Sequence, residues 1–104
     1  MSKIAPILII VPTRNRPQFL DRLISSWRKT TSCKSDLIVN VDSDTEKMYT
    51  QAPGVKYIVT PDTTVVKKVN DVAMKNLHYK YIMFLGDDIV IRTEGWEDLF
   101  LDAF

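Results

Sequence analysis

At 104 residues the chain can build one small domain around a single core, and its 45% hydrophobic and 26% charged residues are the balance of an ordinary soluble globular protein. A net charge of +1 gives no basic surplus for non-specific nucleic-acid binding, and the early apolar run Ile7 to Val11 is far too short to form a transmembrane segment. Cys33 is the only cysteine, which excludes an internal disulfide and a cysteine metal site and fits a cytoplasmic address.

The first element, "PILIIV", reads as a buried strand, short and rich in β-branched residues. It is not a signal peptide, because Pro12, Arg14 and Arg16 stand where a cleavage site needs small residues. "PQFLDRLISSWRK" follows with Leu20, Leu23, Ile24 and Trp27 at helical spacing, and Pro17 suits a first helical turn. A second strand is expected from Leu37 to Val41, then a short helical turn within "TEKMYTQAPG", broken by Pro53 and Gly54. "VKYIVT" is a third strand, stopped by Pro61. Residues 64–77 read as a helix with Val65, Val69, Val72 and Ala73 along one face, and "YIMFL" as a fourth strand. From Thr93 onward Trp96, Leu99, Phe100 and Ala103 repeat at helical spacing. An apolar helical face at this point suggests the cut end of something longer, and if it is left uncovered, a homo-oligomer is expected. Alternating strands and helices predict an α/β fold: a mostly parallel, doubly wound sheet of four strands with helices on both faces.

In such a sheet, ligands bind beyond the carboxyl ends of the strands. The strands here end in "VPTRNR", "VDSD", "TPD" and "LGDD", so Thr13, Asp42, Asp44, Asp62, Asp87 and Asp88 are expected along one edge. Any one of these could be a plain turn residue, since aspartate favours turns and caps. Adjacent carboxylates after an apolar strand are different: they repel and resist burial unless a cation offsets them. Magnesium or manganese suits carboxylate oxygens and leaves coordination places for phosphates, so Asp87 and Asp88 are candidate ligands for Mn2+ or Mg2+.

These stretches resemble the inverting family 2 glycosyltransferases. "ILIIVPTRNRPQFLDRLISSW" is similar to the family's opening strand, Pro-Thr-x-Asn-Arg loop and helix, and "VVKKVNDVAMKNLHYKYIMFLGDDIVI" to its later helix and strand ending in an Asp-x-Asp-type motif. The resemblance implies a Rossmann-like GT-A fold, with residues 1–104 as a single nucleotide-diphospho-sugar-binding domain, the N-terminal half of a longer glycosyltransferase domain. It also implies transfer of a sugar from a nucleotide-diphosphate donor, most often a UDP-sugar, to an acceptor hydroxyl. By the same resemblance Pro12, Thr13 and Arg14 meet the nucleotide, Asp42 hydrogen-bonds the base, and Asn70, with Lys67 and Lys68 nearby, approaches the ribose and diphosphate. Asp88 then contacts the metal, and Asp87 the ribose or the metal.

The chain departs from the pattern at Gly86, which holds the first aspartate position of the motif, and at Val69, where the family has arginine. The family's acceptor half and catalytic base lie further on than Phe104, and Glu97 and Asp98 are expected on the exposed side of the last helix. The acceptor and the base are therefore unassigned, and donor binding with weak or no transfer is expected. Three other readings use the same residues. "FLGDD" is similar to the Gly-Asp-Asp hairpin of viral RNA polymerases, which would make the chain a metal-dependent nucleotidyltransferase fragment, but that hairpin joins antiparallel strands. A receiver-type domain would want an acidic pair after strand one, where Thr13, Arg14 and Asn15 stand. A non-catalytic nucleotide-binding or interaction module would keep the fold without the chemistry.

Overall fold

The structure is a computed structural model that describes residues 5–61 and 64–103. Four strands form one parallel sheet: β1 (Ile7–Thr13), β2 (Ser35–Asp42), β3 (Lys56–Thr60) and β4 (Tyr81–Phe84), in the order β3-β2-β1-β4. Helix α1 (Pro17–Thr30) links β1 to β2, α2 (Val65–Met74) links β3 to β4, and α3 (Trp96–Ala103) follows β4. A single 3-10 turn at Glu46–Met48 stands where a short helical turn was expected. No described helix is long and apolar enough to cross a membrane.

The apolar patterns explain the layers. Ile7 to Val11 of β1 have no exposed surface, as a central strand covered on both faces requires. Ile7, Ile9 and Val11 face α1 and α3, packing with Leu20, Leu23, Ile24 and Trp27 and with the partly buried Trp96 and Phe100. Leu8 and Ile10 face the other way, toward Val72 of α2. Helix α1 begins at Pro17, whose missing N–H is no loss in a first turn, and ends with Arg28 and Lys29 beside its carbonyl end. Helix α2 starts at Thr64, whose hydroxyl accepts from the Lys67 N–H at 3.2 Å. It ends at Met74, short of the Leu77 expected, because residues 75–79 continue as hydrogen-bonded turns. Val65, expected on the buried face of α2, is exposed in its first turn.

Glu97 corrects the sequence reading. It was expected in solvent, yet it has no exposed surface. Its carboxylate accepts from the Ser32 N–H at 2.6 Å, the Ser32 hydroxyl at 3.0 Å, the Thr31 hydroxyl at 2.8 Å and the Ser35 hydroxyl. Ser35 in turn accepts from the Trp27 indole N–H at 2.9 Å. Burial by itself would raise the pKa of Glu97, but the bonds from Ser35, Ser32 and Thr31 outweigh it and hold the carboxyl below its ordinary range. This network ties the end of α1, the start of β2 and the first turn of α3 together at the amino ends of the strands, away from the carboxyl edge.

Candidate functional site

Strand β1 has β2 on one side and β4 on the other, so the chain's crossovers diverge on either side of it. A crevice opens beyond the carboxyl ends of strands at such a switch point. It holds a cavity of about 500 Å3, lined by Pro12, Thr13, Arg14 and Arg16 after β1, and Asp42 after β2. Thr64, Val65 and Lys68 of α2 and Phe84, Gly86, Asp87 and Asp88 after β4 complete the wall. Pro12, Thr13, Arg14, Asp42, Asp87 and Asp88, all marked in the sequence, thus meet in one place. Asp44 stands nearby, its carboxylate 2.6 Å from Arg14, which holds this exposed acid below the usual carboxylate range. Asn70 is exposed on α2 and does not line the cavity. Asp62 lies outside the described residues.

Asp87 is buried and fixed by a relay. The Thr13 hydroxyl donates to its Oδ2 at 2.8 Å. Thr13 has only one hydrogen to give, so the 2.7 Å bond between Thr13 Oγ1 and the Tyr49 hydroxyl is donated by Tyr49. The Tyr49 oxygen then accepts the Arg16 N–H at 3.0 Å. The Arg16 guanidinium lies 3.5 Å from the other oxygen of Asp87. Asp88 is exposed at the cavity wall, without a hydrogen bond or ion pair to any described residue. A methyl group on Gly86 would come within 2.9 Å of the Asp88 carboxylate, so the glycine leaves room for that side chain.

Asp42 is more deeply buried, at 1% exposure. One oxygen contacts the Lys68 ammonium, and the other lies 3.1 Å from Arg14 Nε. Neither has an aligned hydrogen-bond donor among the described residues, so these two cations offset its charge. Lys68 is itself buried, and burial, together with the Arg14 guanidinium, pushes its pKa below the ordinary lysine range. Its backbone is held by Thr64, whose carbonyl accepts the Lys68 N–H at 3.1 Å, and by Asn40, whose amide donates to the Lys68 carbonyl at 3.3 Å.

Lys68, Arg16 and Tyr49 are the residues that sequence reasoning left in the background. Lys68 carried a signal: it stands three positions after Val65 and four before Val72, on the apolar stripe of α2, where a lysine needs a buried partner. Tyr49 carried none. A larger groove of about 680 Å3 runs between α1 and residues 90–94, but its charged side chains, Asp21, Arg22, Lys29, Arg92 and Glu94, are all exposed and of both signs. Among the described residues no three His, Cys, Asp or Glu side chains cluster as a metal site.

No curated protein matches this chain in sequence. Among solved structures it is similar to Rv0371C from Mycobacterium tuberculosis H37Rv, crystallised in complex with manganese, with a TM-score of 0.63 at 14% identity. The alignment covers 97% of this chain and 60% of that one, so the chain spans less than two thirds of that chain's length. At such identity the likeness shows the fold: a parallel, Rossmann-like α/β sheet of the GT-A type. Residues 8–103 match the glycosyl transferase family 2, so nearly the whole of the fold described above, cavity included, belongs to that family.

Proposed function

We propose that the chain binds a nucleotide-diphosphate sugar in the cavity between β1 and β4, with a divalent cation at Asp88, for transfer to an acceptor hydroxyl. The observation that carries this reading is the meeting of three carboxylates, Asp42, Asp87 and Asp88, with three cations, Arg14, Arg16 and Lys68, around one cavity. The residues fit a metal such as Mn2+ or Mg2+. Asp88 is exposed and open, Asp87 stands next to it, and one or two carboxylates with substrate phosphates are the usual set for such ions. The family membership and the manganese complex of the structural relative support the same choice.

When bound, the cation would offset the negative charge that builds on the diphosphate leaving group. The chain's own residues do the rest. Thr13 and Arg16 hold Asp87 in one orientation, so the adjacent Asp88 starts from a fixed backbone. Arg14 and Lys68, held in place by Asp42 and Asp44, bring N–H donors to the cavity wall, where they would orient an anionic ligand before reaction. Pro12 and Val65 offer apolar surface at the same wall.

Inverting transfer also needs a carboxylate within reach of the acceptor hydroxyl. Asp42 and Asp87 are engaged with cations or Thr13, which leaves Asp88 as the open carboxylate among the described residues at the cavity. These 104 residues are therefore expected to bind the donor and to transfer sugar weakly or not at all.

The test is thermal unfolding with manganese, with and without UDP, GDP and their sugars. A ligand at a hundred times its Kd adds about 2.7 kcal/mol of stability. A rise in Tm that needs both manganese and nucleotide, and is lost in Asp88→Ala, supports the reading. No rise with any nucleotide refutes it.

A further inference from the structure

We infer that Tyr49 is a positioning residue of the donor site: its hydroxyl commits the single Thr13 hydrogen to Asp87 and so fixes the carboxylate that a metal-bound nucleotide meets. The inference rests on the donor-binding reading above.

The direction of the bonds is the first reason. A carboxylate only accepts, so the Thr13 hydroxyl gives its hydrogen to Asp87 Oδ2 and accepts at 2.7 Å from Tyr49. The Tyr49 oxygen takes the backbone N–H of Arg16 at 3.0 Å, a donor that cannot reverse. The Arg16 guanidinium then returns to the other oxygen of Asp87, at 3.5 Å. Four residues thus close a ring, and Asp87 is held at both oxygens. Hydrogen bonds that run in one direction polarise one another, so each strengthens the next.

Burial is the second reason. Thr13 is 3% exposed and Asp87 6%. Without the Tyr49 hydroxyl, Thr13 loses one of the two partners of its Oγ1 in a place with little access for water. The third reason is placement. Tyr49 is not among the residues that line the cavity, so it reaches a ligand only through Thr13 and Asp87, which do line it. It directly follows the 3-10 turn Glu46–Met48 in the connection from β2 to β3, and its ring packs against the core cluster that includes Val11, Leu20 and Val41. Tyr49→Phe therefore keeps the packing and removes only the hydroxyl.

The experiment is calorimetry on the 104-residue chain with manganese, titrating UDP and, in parallel, GDP. For the nucleotide that binds, Tyr49→Phe should weaken affinity about tenfold, the low end of what losing an outer hydrogen-bond partner costs a metal site. Thr13→Val should weaken it at least as much. Thr13→Val/Tyr49→Phe should bind no worse than Thr13→Val, because Tyr49 acts only through that hydroxyl. Tyr57→Phe is the control. The Tyr57 hydroxyl donates to the Thr50 carbonyl at 3.3 Å, which fastens the same connection outside the ring of four. This variant should bind as the unaltered chain does.

Unchanged affinity in Tyr49→Phe overturns the inference. So does an equal loss in Tyr57→Phe, which would mean general loosening of the connection, and so does a paired loss equal to the product of the single losses. If Thr13→Val does not fold, the contrast between Tyr49→Phe and Tyr57→Phe decides alone. An unaltered chain that binds neither nucleotide refutes donor binding and this inference together. An unaltered chain that binds one, with any of the overturning results above, refutes this inference alone.

Discussion

The Thr13 hydroxyl donates a 2.8 Å hydrogen bond to Asp87, joining the carboxyl ends of β1 and β4 across 74 positions of sequence. It spans the switch point of the sheet and sets the backbone from which Asp88 projects. Thr13→Val removes the donor and leaves a buried carboxylate short of a partner, a loss of about 1–3 kcal/mol. Thr13→Ser should keep most of it. Urea unfolding of the two variants checks this. Equal midpoints would show that the hydroxyl carries no stability.

Asp42 and Lys68 make a second prediction. Lys68→Met leaves the Asp42 charge buried against Arg14 alone and is expected to cost about 3–5 kcal/mol, whereas Asp42→Leu/Lys68→Met should recover most of that. Denaturant midpoints for both variants decide the matter. A paired variant less stable than Lys68→Met would mean that the ion pair itself favours the fold.

The third concerns acid. The folded-state pKa of Glu97 is held below its ordinary value, so the stability it contributes is full above the unfolded carboxylate pKa of about 4.3 and is lost as pH falls through the folded value. Glu97→Gln should therefore be less stable near neutrality and show a shallower loss of stability below about pH 4.3. Parallel acid-unfolding curves for the two proteins would remove Glu97 from the account.

Tyr79 gives the alkaline counterpart. Its hydroxyl donates to Asp36 at 2.6 Å, and burial, with that bond and the nearby Asp36 charge, pushes its pKa up to about 12. A group raised in the folded state favours folding below its unfolded pKa, about 10, and that contribution disappears as pH climbs toward the folded value. Phenolate absorbance should show a late-ionising tyrosine that is absent in Tyr79→Phe. An unchanged titration curve in that variant would contradict the assignment.

Gly86→Ala is the mildest change proposed. The new methyl meets only the end of the flexible Asp88 side chain, so the fold should stay within about 1 kcal/mol while Asp88 is displaced. Manganese-dependent stabilisation by nucleotide, if it occurs, should fall more than the unliganded Tm does. Comparing the two shifts in one melting series reads both effects.

Much of this architecture was legible in the residues. The unbroken run Ile7 to Val11 requires burial on both faces, and it is the fully covered center of the sheet. The spacing of Leu20, Leu23, Ile24 and Trp27 marked the buried face of α1. The polar tips of the strands converge because parallel strands share a direction, which is why Thr13, Asp42, Asp87 and Asp88 could be grouped before any coordinates. What stayed hidden depends on distant partners. Glu97 reads as a helix-surface acid until Ser32 and Ser35, more than sixty positions earlier, are brought against it. Tyr49 gains its place only through Thr13 and Arg16. Local pattern does separate Asn70 from Lys68, because a two-position step on a helix nearly reverses the face, but it does not name Asp42 as the buried partner of Lys68.

The central position of β1 has a consequence for how the chain reaches this state. This strand is paired on one flank by β2 and on the other by β4, whose residues arrive some seventy positions later. Parallel, non-local pairing of that kind forms slowly. During synthesis "ILIIV" precedes β4 and waits with that edge open, which makes it an aggregation-prone segment if β4 is delayed.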